Sequence, residues 1–159
     1  MREILEVLSE NCRVTPAEIA VRLGKTEEEV RAKIADMEKN GVIVKYQALI
    51  NWEKTGEESV CAMIEVKVSP QREVGFDEVA ERIYRYPEVR SVYLMSGDYD
   101  LAVLVEGASM KEVAFFVAEK LSTLEHVLST ASHFILKRYK HEGQVFEGKS
   151  TPERLVISP

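Results

Sequence analysis

Cysteine is scarce in this chain: 159 residues contain two, Cys12 and Cys61. They stand far apart with no Cys-x-x-Cys or other metal-type spacing, so a zinc cluster, a disulfide framework and a dithiol redox motif are all excluded. Two free buried thiols are expected instead. Histidine is equally thin. His126, His133 and His141 form no His-x-x-x-His pair, and His133 falls inside a strand-like run, where a structural imidazole is expected. No Gly-rich phosphate loop and no Gly-x-Ser-x-Gly elbow occurs. Long apolar runs are missing too, and the longest fall far below the roughly 20 residues that cross a bilayer. The first residues, MREILEVLSEN, are charged from the second position and alternate acidic with apolar side chains. That pattern is an amphipathic helix and not a signal peptide. The expectation is a cytoplasmic protein with no membrane segment, no catalytic residue, no metal and no cofactor.

Positive charge is in deficit. Lys and Arg number 21 against 27 Asp and Glu, a formal net charge of −6. Neutralising phosphates needs Lys and Arg, so any binding of nucleic acid has to rest on a local basic patch. Apolar residues at 45% and charged residues at 30% suit a globular chain with room for one domain or two small ones.

What is present begins with three short helices over residues 1–41. The first covers Arg2–Glu10, with Ile4, Leu5 and Leu8 on one face. The second opens at Thr15-Pro16-Ala17-Glu18: Thr15 is the N-cap, Pro16 suits the first helical position, and Glu18 completes a capping box. It stops at Gly24. The third opens at Thr26-Glu27-Glu28-Glu29, a second capping box, carries Val30, Ile34 and Met37 at helical spacing, and ends at Asn40-Gly41. Two capped helices joined by Gly24-Lys25-Thr26 and supported by a first helix read as a helix-turn-helix. A strand-like run, Val42–Ile50, follows.

Residues 51–58, NWEKTGEE, are polar and read as a linker. Beyond them the pattern becomes strand, helix, strand, strand, helix, strand: Ser59–Val68, Phe76–Tyr86, Val89–Met95, Tyr99–Glu106, Ser109–Leu124 and Val127–Tyr139. This βαββαβ order is the ferredoxin-like arrangement. Its two helices cover one face of an antiparallel sheet and leave the other face to a partner. The tail from residue 142 is polar. Its RLVIS segment, Arg154–Ser158, reads either as one more strand added to a neighbouring edge or as a frayed terminus.

Two places could carry function. In a helix-turn-helix the second helix enters the major groove with its N-terminal residues leading. Here that helix has three basic residues (Arg31, Lys33, Lys39) against five acidic ones (Glu27, Glu28, Glu29, Asp36, Glu38). Acids at a helix N-terminus also serve its dipole. Arg13, Arg22, Lys25, Lys33 and Lys45, with Thr26 at the helix start, are the candidate contacts to DNA, and Arg31 is the candidate for a base edge. The second place is the stretch SVYLMSGDYDLAVLVEG, residues 91–107. Gly97-Asp98 is a two-residue hairpin signal between strand-forming runs. The turn concentrates Ser96, Asp98 and Asp100 around Tyr99. Asp98 and Asp100 are open to two readings, ligand-binding carboxylates or turn formers.

A helix-turn-helix, a linker and a βαββαβ domain with a Gly-Asp-Tyr-Asp turn resemble the Lrp/AsnC family, the feast/famine transcription regulators. The resemblance runs from Ile4 to Tyr139. It rests on Arg13-Val14-Thr15, Glu18-Ile19-Ala20, Leu23-Gly24, Val30, Ile34, the run Glu38–Ile43, Ser96–Asp100 and Thr130-Ala131-Ser132. The third helix departs from the family in being more acidic. The resemblance implies dimers joined through the C-terminal sheet, larger assemblies of those dimers, and an amino acid or related metabolite bound near the turn. Mapped onto this chain, that effector site is Met95, Ser96, Gly97, Asp98, Tyr99 and Asp100, with Thr130 and Ser132.

The expected fold is therefore α+β: an N-terminal winged/helix-turn-helix DNA-binding domain over residues 1–50, a linker over 51–58, a ferredoxin-like ligand-sensing and oligomerisation domain over 59–141, and a tail over 142–159. The expected function is a DNA-binding transcriptional regulator responding to a small metabolite, an amino acid by resemblance. Its partners would be double-stranded DNA with a pseudo-palindromic operator, the effector, and further copies of itself in a homodimer or higher oligomer. Two rivals stand beside it. One is a ligand-binding oligomer whose helix-turn-helix no longer binds DNA. The other is an enzyme resembling the siroheme decarboxylases, although Gly41–Tyr46 lacks the paired arginines and histidine that such proteins are expected to use.

Overall fold

The computed structural model describes residues 1–57, 59–69 and 75–146. The expectations placed on Glu58 and on Arg154–Ser158 lie outside the described residues. Chain contacts divide the protein into two compact units, Met1–Ile50 and the part from Asn51 onward.

The first unit holds α1 (Arg2–Glu10), α2 (Pro16–Leu23) and α3 (Glu27–Lys39). Both expected capping boxes form. The Thr15 N–H donates to Glu18 Oε2 at 2.7 Å while the Glu18 N–H donates to Thr15 Oγ1 at 3.3 Å. Thr26 and Glu29 repeat the exchange at 3.0 and 3.3 Å. Between the helices Gly24 takes φ +60, the left-handed conformation that ends a helix at least cost in glycine. Ile4, Ile19, Ala20, Val30 and Met37 form the buried core, with Leu8, Leu23 and Ile34 among the side chains packed on it.

Beyond α3 the structure departs from expectation. Val42–Ile50 is not a strand: it has no ladder partner in the described chain. The backbone N–H groups of Val42 and Ile43 both turn back to the Met37 carbonyl, at 2.9 and 3.2 Å. After that Val44, Tyr46, Leu49 and Ile50 are exposed. Strand propensity measures fit to a pleated, paired surface and cannot supply the pairing strand. What fixes the segment is a pair of tethers: the Tyr46 hydroxyl donates to Glu38 Oε1 at 2.9 Å and the Cys12 thiol donates to the Gln47 carbonyl at 3.9 Å.

The second unit is built on β1 (Val60–Val68), α4 (Phe76–Tyr84), β2 (Val89–Leu94), β3 (Leu101–Gly107), α5 (Met110–Phe116) and β4 (Val127–Phe134). The sheet order is β2-β3-β1-β4 and every neighbour is antiparallel. Even-numbered β1 residues Ala62, Ile64, Val66 and Val68 share one core with Val79 and Ile83 of α4 and Val113 and Phe116 of α5. Each of these Val, Ile and Phe side chains contributes about 1.5–3 kcal/mol by leaving water. The odd-numbered residues Met63, Glu65 and Lys67 lie on the opposite face, in register with Leu104, Ala102, His133 and Ala131. Among the described residues of this unit no helix covers that face.

Several element ends differ from the sequence reading. The helix from Phe76 ends at Tyr84, and the last strand ends at Phe134. The helix after Ser109 changes to the wider π spacing over Val117–Leu121, which brings both Val117 and Leu121 into the core. Lys140–His141 and Gln144–Val145 form a small hairpin, β5 and β6. It turns on Glu142 and Gly143, both with positive φ, the pattern of a type I′ turn.

Candidate nucleic-acid interface and effector site

In the first unit the buried residues Val30 and Met37, with the half-buried Ile34, define the inner side of α3. At 3.6 residues per turn the opposite side carries Glu28, Ala32, Ala35 and Lys39, with Arg31 beside them. All five are exposed. Ala32 and Ala35 were not singled out from sequence. They place only methyl groups at the middle of the outer face, so another surface can approach the helix backbone closely.

The three carboxylates that open α3 have different partners. Glu29 is engaged in its capping box, and acceptance from the Thr26 backbone N–H holds its pKa below the ordinary carboxylate value. Glu27 pairs with Arg31 one turn on, accepting from both Nε and Nη2. Glu28 alone makes no hydrogen bond or ion pair among the described residues.

The candidate DNA contacts divide in the same way. Lys25 Nζ lies 3.1 Å from Glu3 Oε2, tying the turn to α1 and lowering the Glu3 pKa chiefly through that hydrogen bond. Thr26 Oγ1 accepts from the Glu29 N–H, and the Thr26 side chain also hydrogen-bonds the Glu29 carboxylate. Arg13 and Arg22 are exposed and come together on the wall of an open notch of about 420 Å³ lined by Asn11, Arg13, Val14, Glu18, Val21 and Arg22. Lys33 and Lys45 are exposed and make no ion pair among the described residues.

In the second unit the hairpin loop is longer than the two residues expected. The last pair of the ladder is Leu94 with Leu101. The Met95 N–H then donates to the Asp100 carbonyl at 2.8 Å, so the loop proper is Ser96-Gly97-Asp98-Tyr99. Gly97 sits at φ +153, outside the range comfortable for L side chains. Asp100, tied to Val66 and Val68 of β1, fixes where the wider loop closes.

Asp98 and Asp100 do different things. Asp98 is exposed at the tip. Asp100 is half-buried, and its Oδ2 accepts from the Val68 N–H at 2.8 Å while its own N–H donates to the Val66 carbonyl at 3.0 Å. Met95, Ser96 and Gly97 are exposed and Tyr99 is half-buried. On the other flank of β1, Thr130 pairs with Val66 and Ser132 with Ile64. Asp100 and Thr130 thus approach the same end of β1 from its two sides. The Thr130 hydroxyl meets Ser122 Oγ at 3.1 Å, a partner that only the folded register brings into reach.

A helix-turn-helix with an exposed outer face, followed by a ferredoxin-like unit with polar groups at one end of its sheet, defines a two-part regulator: a reader of DNA joined to a small-molecule sensor. Comparison with known proteins makes this particular. Residues 1–44 match the winged helix-turn-helix DNA-binding family and residues 61–145 match the Lrp/AsnC ligand binding domain. The chain belongs to the Lrp/AsnC family of transcriptional regulators. It is 57% identical over 158 residues, 99% of this chain and 95% of the relative, to the uncharacterized HTH-type transcriptional regulator YugG of Bacillus subtilis. Among solved structures it is similar to the transcriptional regulator NMB0573 of Neisseria meningitidis in complex with L-Met, with a TM-score of 0.72 and 27% identity, covering 87% of this chain and 89% of that one. It is similar also to the feast or famine regulatory protein Rv3291c of M. tuberculosis complexed with L-methionine, with a TM-score of 0.74 and 26% identity over 90% and 94% of the two chains. These relatives are regulators, and the enzyme reading is set aside. The protein is a metabolite-responsive DNA-binding regulator. No helix among the described residues is long and apolar enough to cross a membrane.

Proposed function

We propose that this regulator responds to an amino acid bound at the hairpin tip, and that it reads a pseudo-palindromic operator as a cytoplasmic dimer or larger assembly of dimers. The single observation that carries the effector assignment is the difference between the two aspartates. Asp100 is committed to the Val68 N–H, which leaves Asp98 exposed beside the loop amides. An exposed carboxylate next to backbone N–H groups offers complementary partners to an ammonium and a carboxylate on one molecule. Ser96, Gly97 and Tyr99 supply the loop, Met95 borders it, and Thr130 and Ser132 come from the far flank of β1. The relatives solved with L-methionine support this chemical class.

On this reading residues 1–50 form the DNA-binding domain, 51–58 the linker, 59–141 the sensing and oligomerisation domain, and 142–159 a tail. Lys33, Lys45, Arg13 and Arg22 contact phosphates, the last two from one notch. Lys25 and Thr26 add contacts at the helix start, and Arg31 reaches a base edge. The sheet face bearing Met63, Leu104 and Tyr93 receives a second copy. Half-sites would lie about one helical turn apart.

The test is binding of the purified chain to its own upstream DNA at about 50 mM and about 200 mM salt, with each amino acid added in turn. Salt-sensitive, competitor-resistant binding that one amino acid shifts, and that Asp98→Asn makes unresponsive, is the expected result. DNA binding that no amino acid alters would overturn the effector assignment. Absence of DNA binding at low salt, with an amino acid still bound, would favour the rival in which the helix-turn-helix serves protein contacts, a reading motivated by the engagement of Arg31 and Lys25 with carboxylates.

A further inference from the structure

α3 presents a single arginine, Arg31 beside its outer face, and that arginine is already held. Glu27 Oε1 accepts from Arg31 Nε at 2.8 Å and from Arg31 Nη2. The pair has the favourable order, acid four residues before base, and both side chains are exposed. The contact engages one edge of the planar guanidinium, the Nε–Nη2 side. The Nη1 amino group and the outer hydrogen of Nη2 remain directed away from Glu27. Those remaining donors are the pair that matches guanine O6 and N7.

We propose that Glu27 is a specificity-determining positioning residue of the DNA interface, acting through Arg31. The inference rests on the DNA-binding reading of the first unit. Two physical effects combine. First, the carboxylate orients the guanidinium before DNA arrives, so less side-chain entropy is lost when a base is engaged. Second, the pair is nearly neutral. An unpaired arginine on this face would bind phosphate on any sequence and release counterions there. A paired one gains little from phosphate and gains from a matched acceptor pair on a base. The acidic start of α3 therefore lowers indiscriminate affinity while keeping one directional contact. Ala32 and Ala35, next along the outer face, keep the approach of the helix to the groove unobstructed.

The experiment is selection from a random duplex library with the full chain, followed by affinity measurements on the selected duplex and on a scrambled one at about 50 and about 200 mM salt. The proteins are the wild type, Glu27→Ala, Glu27→Gln, Arg31→Ala and the Glu27→Ala/Arg31→Ala double variant. We expect the wild type to select a guanine at one position of each half-site. Glu27→Ala should bind the scrambled duplex more tightly with a steeper salt dependence, lose preference for that guanine, and drop the ratio of selected to scrambled affinity about tenfold. Glu27→Gln, which keeps an acceptor for Arg31, should recover part of that ratio. In the Arg31→Ala background, removing Glu27 should leave the ratio unchanged. An equal gain on both duplexes in Glu27→Ala would mean that Glu27 acts only as a repelling charge and would overturn the inference while leaving the DNA-binding reading intact. A loss of ratio that persists without Arg31 would overturn it too. A wild type that binds neither duplex at low salt would overturn the DNA-binding reading and this inference together. Circular dichroism of each variant verifies that α3 is retained.

Discussion

Asp100 and Val68 are joined across the end of the sheet: the Asp100 carboxylate accepts the Val68 N–H at 2.8 Å just where the β1–β4 register shifts, between Lys67 and Val68. A side chain here satisfies a backbone group that the ladder does not, while the same residue's carbonyl closes the hairpin loop on the Met95 N–H and its own N–H donates to the Val66 carbonyl of β1. The residue next to the proposed effector-binding tip is therefore a structural clamp.

The two loop aspartates should separate cleanly in experiment. Asp100→Ala leaves a part-buried N–H without its acceptor and should lower unfolding stability by about 1–3 kcal/mol. Asp98→Ala, at an exposed position, should stay within about 0.5 kcal/mol of wild type while abolishing the effector response. Urea denaturation of both variants, with effector titration of Asp98→Ala, checks the division. Equal destabilisation by the two would refute it.

Acid should weaken the first unit through its helix starts. Acceptance from the backbone and side chain of Thr15 holds the Glu18 pKa below 4.5, and Thr26 does the same for Glu29. A carboxylate whose folded value is depressed contributes stability that is present above its unfolded value and is lost as pH falls through the folded one. Helix melting should therefore be constant from neutral pH down to about pH 5 and move to lower temperature below that. A Glu18→Gln/Glu29→Gln variant should start lower and respond less to acid. Thermal melts by circular dichroism across this range provide the measurement.

The two thiols should differ in accessibility. Cys12 is half-buried, whereas Cys61 is buried, and burial raises the Cys61 pKa against the opposing influence of Arg138, which donates to its Sγ at 2.6 Å. Since thiolate is the reactive form, iodoacetamide should label Cys12 well before Cys61 in the native protein. Peptide mass spectrometry over a time course would reveal the order, and faster labelling of Cys61 would contradict the packing described.

Ile64 lies at the middle of β1 with no exposed surface, between Val103 and Ser132. Ile64→Ala should cost about 2–5 kcal/mol through lost transfer energy and the cavity left behind. Calorimetry should find the sheet unit melting earlier.

How much of this was legible in the sequence depended on distance along the chain. The Thr-x-x-Glu boxes at Thr15 and Thr26 specify their own helix starts within four residues, so α2 and α3 were readable to their ends. The first strand, expected over Ser59–Val68, likewise forms over Val60–Val68. Val42–Ile50 had the residues of a strand but no partner for it, and pairing is not written locally. Gly97-Asp98 locates the hairpin but reads locally as a two-residue turn, whereas the bond from Met95 to Asp100 closes a wider loop. The engagement of Asp100 with Val68, and of Thr130 with Ser122, follows from sheet register and helix packing, neither of which a local pattern encodes. The Glu27–Arg31 pair was in principle readable from its spacing, yet the count of acids along α3 concealed that three neighbouring carboxylates do three different things.

The junction Gly24-Lys25-Thr26 has a mechanical consequence. The Gly24 and Lys25 N–H groups both close onto the Ala20 carbonyl, and the Thr26 N–H is held by Glu29. A corner with every donor tied has no slack, so α2 and α3 turn as one rigid bracket. On the proposed reading of two half-sites, mismatch with a stretched or compressed operator would be absorbed by the duplex or beyond Ile43, where the backbone leaves the helical core with far fewer ties. Lengthening the chain there should change which operator spacings are tolerated, whereas a single residue inserted after Gly24 should destroy the bracket itself.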